Sequence, residues 1–176
     1  FAQASVDLGV RTRATGGIRY TSEKRGFEST LAFTRKDGTG TLTAFTPADL
    51  KYNKFTWRLS VDHKFTPNVL AFASYNRGFK SGGFNPSVPG DPAYLPETID
   101  AYEIGLKTDL MDRRARFNIS GFLYNYKNMQ VSRFANGVLG IYNGAKAEIY
   151  GVEAELEVAV SENLDINGGI ELLHSE

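Results

Sequence analysis

Glu153, Glu155 and Glu157, at alternate positions of "VEAELEV", are three carboxylates whose spacing could let them act together. Alternate residues of a strand point to one face, about 6–7 Å apart. Such a ladder could hold a cation, which takes several oxygen ligands. The favoured reading is a wetted surface on which the glutamates pair with Lys or Arg from neighbouring strands. His63 and His174 fall in separate strand-like segments without ligand-like neighbours and read as ordinary strand residues. Ser, His and Asp all occur, but no Gly-x-Ser-x-Gly elbow does. "GVRTRATGG" lacks the spacing and the strand–helix context of a phosphate loop, and "KSGG" leads into "FNP" rather than a helix. No catalytic residue, metal site or cofactor is expected, and the chain is read as not an enzyme.

Composition narrows the partners. The 20 basic and 20 acidic residues cancel, which argues against a nucleic-acid binder that neutralises phosphates. Cysteine is absent, so neither a disulfide framework nor a thiolate metal site is expected. No run approaches the roughly 18 apolar residues of a spanning helix. That does not exclude a membrane barrel, whose alternating strands leave little hydropathy signal. The 18 Gly, 12 Phe and 9 Tyr suit β structure.

The elements that would position these residues alternate with period two. In "KFTWRLSVDHKF", Phe55, Trp57, Leu59 and Val61 oppose Thr56, Arg58, Ser60 and Asp62. In "DAYEIGLKTDL", Tyr102, Ile104 and Leu106 oppose Glu103, Gly105 and Lys107. Tyr150, Val152, Ala154, Leu156 and Val158 oppose the glutamate ladder, and Ile166 and Ile170 oppose Asp165 and Glu171. In "RARFNISGFLYNY", Arg116 falls on the polar side, and so do Phe122, Tyr124 and Tyr126. The pattern predicts about eight strands, at roughly 1–8, 11–23, 53–64, 68–79, 98–109, 114–129, 146–160 and 164–176. Both ends fall inside strand-like runs, which predicts a fragment of a larger sheet.

Connections alternate in length. Short ones lie near 9–11, 66–68, 110–114 and 161–164; long ones span roughly 24–52, 80–97 and 130–145. Antiparallel neighbours would then gather every short turn at one end and every long loop at the other. A transmembrane barrel sorts its loops in this way, with short periplasmic turns and longer extracellular loops. Within 24–52, "RKDGTG" lies between alternating runs and predicts a hairpin folded back on the loop itself. Alternation alone also fits a soluble β-rich binding module. The apolar faces nearly free of charge, the charged opposite faces and the sorted loops favour the barrel.

Four segments, in order, resemble the barrel of a TonB-dependent outer-membrane receptor. They are "GIRYTSEK" at 17–24, "FKSGGFN" at 79–85, "LPETIDAYEIGLKTDLMDRR" at 95–114 and "NGAKAEIYGVEAELEV" at 143–158. The resemblance implies an all-β fold: a transmembrane antiparallel barrel of the plugged 22-stranded type, with residues 1–176 supplying about eight strands of one barrel domain. The plug domain is expected to lie outside this chain.

The same resemblance implies a receptor in the bacterial (Gram-negative) outer membrane. It would take up a scarce solute, typically a ferric siderophore, haem, cobalamin or an oligosaccharide. The implied partners are outer-membrane lipid, the small solute or metal chelate, and the TonB energy-transducing protein, reached through parts outside this chain. Nucleic acid is not among them. Candidate solute contacts are the aromatic and polar loop residues Phe79, Lys80, Phe84, Asn85, Tyr94, Arg133, Phe134, Asn136 and Tyr142. Candidate lumen-facing residues are Arg58, Asp62, Glu103, Lys107, Arg116, Glu153, Glu155 and Glu157. Gly105, between Glu103 and Lys107, is expected to leave room for a plug side chain. A passive porin with the same strands and an open lumen is the alternative within the membrane class.

Overall fold

The computed structural model describes residues 1–38, 40–86, 91–135, 137–144 and 146–176. Ten strands follow one another: β1 (Ala2–Asp7), β2 (Thr12–Thr34), β3 (Thr41–Thr66), β4 (Val69–Lys80), β5 (Glu97–Leu110), β6 (Ala115–Lys127), β7 (Gln130–Ala135), β8 (Val138–Asn143), β9 (Lys146–Ser161) and β10 (Leu164–Ser175). Eight of them form one antiparallel sheet in the order β1-β2-β3-β4-β5-β6-β9-β10, and β7 pairs with β8 apart from it.

The register places unlike residues on the two faces. Val61, Ala73, Ile104, Gly121, Val152 and Leu172 lie side by side across six strands. One residue along, Ser60, Ser74, Glu103 and Phe122 form a row on the other face. Arg13, Arg58, Asp62, Glu103, Lys107 and Glu155, from four strands, line a hollow of about 580 Å³ that also reaches β1 through Gln3 and Ser5. One hollow touching β1 and β9 requires the sheet to curl with its polar face inward.

Among the described residues, no second layer covers the apolar face. Among the described residues, Ala115 is the one buried hydrophobic. Ile104 is 67% exposed although β5 is paired on both sides, and Leu156 and Ile166 are about half exposed. An exposed apolar patch of this extent marks a surface that a membrane or a partner covers. From Leu110 to Tyr102 the apolar face of β5 spans nine residues, eight steps along the strand. That is about 27 Å along the strand and roughly 20 Å across a bilayer at a tilt of about 40°. Above it stand aromatic side chains: Tyr75 stacks on Tyr102 with centroids 4.6 Å apart, and Trp57 meets Tyr75 edge-on.

Short reversals close one end of the sheet: Pro67–Asn68 between β3 and β4, residues 111–114 between β5 and β6, and residues 162–163 between β9 and β10. Met111, Asp112 and Arg113 all take positive φ, so the β5–β6 reversal is made by three successive left-handed residues without a glycine. The long segments emerge from the opposite end.

Two expectations about those segments need correction. Residues 24–52 form the expected hairpin, but as an extension of β2 and β3 rather than on a separate loop. β2 and β3 continue unbroken through this region in a single register to Thr34↔Thr41. The reversal lies at the predicted place, with Gly38 at φ 73° supplying the left-handed turn residue. Residues 130–145 are not irregular; they contain the β7–β8 hairpin. The space over Gly105 is also filled, by the ring of Phe72 from the adjacent strand.

Candidate functional site at the long-loop end

Three segments meet at the long-loop end: the β2–β3 extension, the described residues of 81–96 (81–86 and 91–96), and the β7–β8 hairpin. Glu23 and Tyr52 are direct partners on β2 and β3. The Tyr52 hydroxyl donates to Glu23 Oε2 at 2.7 Å and the Ser81 hydroxyl donates to the same oxygen at 2.9 Å. Arg25 donates to the other Glu23 oxygen and, through Nη1, to the Gly82 carbonyl at 2.9 Å. These donors hold the Glu23 carboxyl below the usual carboxylate range, the Tyr52 bond contributing most. Burial, then the Glu23 bond, pushes the Tyr52 phenol up. Phe27 stacks on Phe84 with centroids 5.1 Å apart, extending this seam.

The other side of segment 81–96 is fixed to the hairpin. Asn85, 7% exposed, donates from Nδ2 to the Ile141 carbonyl at 2.9 Å and accepts the Ile141 N–H at 2.8 Å. The side chain acts as a one-residue extension of the β8 ladder. Asn143 repeats the arrangement in reverse, accepting the Leu95 N–H at 2.6 Å and donating to the Leu95 carbonyl at 2.9 Å. Gln130 donates to the carbonyls of Ser81 and Leu95, and its N–H reaches Glu97 at 2.7 Å. Gly83 and Tyr94 close the segment on itself by two backbone bonds, with the Tyr94 ring over Gly83.

The residues expected to contact solute are thus placed as follows. Phe84, Asn85, Tyr94, Arg133 and Tyr142 belong to this one assembly. The Tyr142 hydroxyl donates to Asp91 at 3.0 Å, a bond that holds the phenol above its usual range. The Arg133 guanidinium lies 4.6 Å over the Tyr142 ring. Phe134 is 71% exposed on the hairpin. Lys80 is exposed at the end of β4, opposite Glu97. Phe79 sits below, edge-on to Tyr52. Asn136 lies outside the described residues.

Glu23, Arg25, Tyr52, Ser81, Gln130 and Asn143, which organise the assembly, were not singled out by the sequence. Asn136-Gly137 between alternating runs was a usable hairpin signal, and Gly137 takes φ 79°.

The expected lumen residues share the concave face. Arg58, Asp62, Glu103, Lys107, Glu153 and Glu155 line the polar hollow. Arg116 reaches Asp109 at 3.3 Å and Glu157 at 3.6 Å, and Asn118 donates to Glu155. His63 bonds Thr12 at 2.8 Å on its neighbouring strand. The arrangement can bind by stacking, hydrogen bonding and charge; no acid–base or nucleophilic pair is assembled among the described residues.

Residues 1–171 match the family described as TonB dependent receptor-like, beta-barrel. Three solved structures superpose on nearly the whole chain. They are the ferric yersiniabactin uptake receptor FyuA from Yersinia pestis (TM-score 0.78, 20% identity, 99% of this chain and 26% of that one), the copper transporter OprC (0.75, 14%, 99% and 28%), and the hemophore receptor HasR of Serratia marcescens in complex with HasA and heme (0.70, 15%, 97% and 33%). At these identities the likeness concerns the fold, and the chain spans about a quarter to a third of each of those proteins. With nearly all its residues matched to that family, an exposed apolar face and a polar hollow on the other, this chain belongs to the TonB-dependent receptor β-barrels.

Proposed function

We propose that the chain is part of an outer-membrane receptor that captures a scarce solute at its extracellular end and passes it inward with energy from the TonB system. The observation that carries the reading is the binding of residues 81–96 to both flanking hairpins, through Glu23 and Arg25 on one side and Ile141 and Asn143 on the other. Three long segments held as one body make a shaped surface, which a nonselective pore does not need. Arg133, Phe134 and Lys80 stand exposed on or beside that body, suited to an anionic chelate with flat or aromatic parts. The solute class is a ferric siderophore, haem, cobalamin or an oligosaccharide. Two solved relatives in fold are named for ferric yersiniabactin uptake and for a hemophore with heme, which supports the first two.

The test uses the full-length protein in outer membranes and a panel of those four solute classes. The expected result is uptake of one class that stops when proton-motive force is collapsed. Replacing residues 130–143 by a short Gly-Ser link should abolish that uptake and leave the barrel folded. Energy-independent passage of every small solute would favour a porin, and a protein monodisperse without detergent would overturn the membrane reading itself.

A further inference from the structure

We propose that the outer edge of β7 is a docking strand for a protein ligand, which adds an extended, antiparallel segment of alternating apolar and acidic residues to the β7–β8 hairpin. The inference takes from the reading above only that this end of the receptor faces outward. It uses backbone that a small solute does not need.

The bonds of the hairpin fix which groups the edge offers. Asn85 reaches both the N–H and the carbonyl of Ile141, so both point away from β7. Directly opposite residues of an antiparallel pair exchange both bonds or neither, in alternation. Ser132, the partner of Ile141, therefore turns its own N–H and carbonyl away from β8, and Phe134, two residues on, does the same. Gln130 follows the same alternation, and its N–H is taken by Glu97 at 2.7 Å. Among the described residues, nothing takes the backbone groups of Ser132 and Phe134. The β8 edge is closed at Ile141 by a side chain that imitates a strand, whereas the β7 edge is closed at Gln130 and open beyond it. Neither a proline nor a bulge blunts that open stretch, the usual protections of a free edge.

The flanking side chains state what fits there. Phe134 and its partner Leu139 are 71% and 63% exposed and share a face with Ser132. Arg133 lies on the other face, exposed, over the Tyr142 ring. It has no carboxylate within ion-pair distance among the described residues, and Asp91 on that side takes the Tyr142 hydroxyl. In an added strand, the residues opposite Ser132 and Phe134 would meet the apolar side, and the one between them would meet the cation. An apolar–acidic–apolar run satisfies all three, the backbone supplying affinity and the side chains register. Asn85, Asn143 and Gln130 hold the hairpin, so the edge is set before the ligand arrives.

The test uses full-length receptor in detergent and a fluorescent synthetic peptide of alternating valine and glutamate, read by anisotropy, with amide exchange followed at Ser132 and Phe134. The peptide should bind and slow exchange at both amides. The same peptide N-methylated at its valines keeps every side chain but loses its donors to β7, and should bind at least about tenfold more weakly to the wild-type receptor. Ser132→Pro removes one outward N–H and spares the β7–β8 bonds, so it should weaken the peptide about tenfold while residues 138–143 stay protected. Arg133→Glu should turn the preference toward a valine–lysine peptide. Binding unchanged by N-methylation or by Ser132→Pro, or no binding of the valine–glutamate peptide, overturns the docking edge. Slow exchange at Ser132 and Phe134 without peptide would show the edge covered by receptor chain beyond residues 1–176, and overturns it as well. No transport is read, so failure of the solute reading leaves each of these results standing.

Discussion

The ring of Phe72 lies over Gly105, its direct partner across the β4–β5 pair. Lys107 Nζ stands 5.4 Å from the same ring on the concave face. Phe122 covers Gly151 in the same way across β6 and β9. An aromatic ring over a cross-strand glycine restores the contact the glycine lacks and fixes the register.

Gly105→Leu should therefore destabilise the sheet. A Cβ at this position would come within 2.7 Å of the Phe72 ring and of the Ile119 carbonyl. The ring can turn away but the carbonyl cannot. Overpacking of this kind costs about 1–3 kcal/mol. Urea unfolding of the reconstituted barrel checks it. A partial rescue by Phe72→Ala in the same chain is expected, because it removes the ring and leaves the backbone contact.

Protonation of Glu23 should loosen the long-loop assembly in acid. The donors Tyr52, Arg25 and Ser81 lower its carboxyl in the folded state, so the stabilisation is present above the ordinary carboxylate range and is lost as pH falls through the lowered folded value. Hydrogen-exchange protection factors at residues 81–86, followed from about pH 7 to about pH 3, should fall toward the acid end. Glu23→Gln should exchange faster at neutral pH and lose the pH dependence. Unchanged protection across the series would assign the assembly's stability to Asn85 and Asn143 instead.

The sequence made the membrane part readable and the loops much less so. Ile104 opposing Glu103, and Leu156 opposing Glu155, follow from period two alone, and the register keeps them on opposite faces. Phe122 broke the polar pattern on its face because it covers Gly151, a job no one-strand pattern reveals. Strand ends were misread where polarity changed before hydrogen bonding did. "SEKRGFE" and "ADLKYN" look like loop because neither face meets hydrocarbon there, yet the β2–β3 ladder continues through both. The glutamine and asparagine contacts between segments join residues about 33 to 56 apart in sequence, and nothing local marks them.

Breaking the Arg77–Asp100 pair should weaken the barrel at the rim of its apolar band. Asp100 is 5% exposed and takes Arg77 Nε at 2.6 Å and the Tyr75 hydroxyl at 3.0 Å, while the guanidinium lies 4.4 Å over Trp57. Asp100→Ala would leave that cation unpaired beside hydrocarbon. A hydrogen bond to a charged group contributes about 1.5–3 kcal/mol, and a loss of that size in urea unfolding is expected. Arg77→Ala should cost a similar amount, and the double variant should cost less than the sum.

Asn85→Ala should separate loop order from barrel stability. The substitution removes both bonds to Ile141 and leaves a half-buried N–H and carbonyl without that partner, at about 1–3 kcal/mol. Asn85→Asp is the sharper variant: it keeps the acceptor for the Ile141 N–H but sets a carboxylate oxygen against the Ile141 carbonyl. Neither touches the eight-stranded sheet, so urea unfolding of the barrel should stay near wild type. Exchange at residues 138–143 should rise in both, more in the aspartate variant. Solute affinity should fall with it, because a hairpin that samples other positions must be ordered at each binding event. A hairpin that stays protected in Asn85→Asp would mean that Asn143 and Gln130 suffice to hold it, and Asn85 would then be free to serve the solute directly.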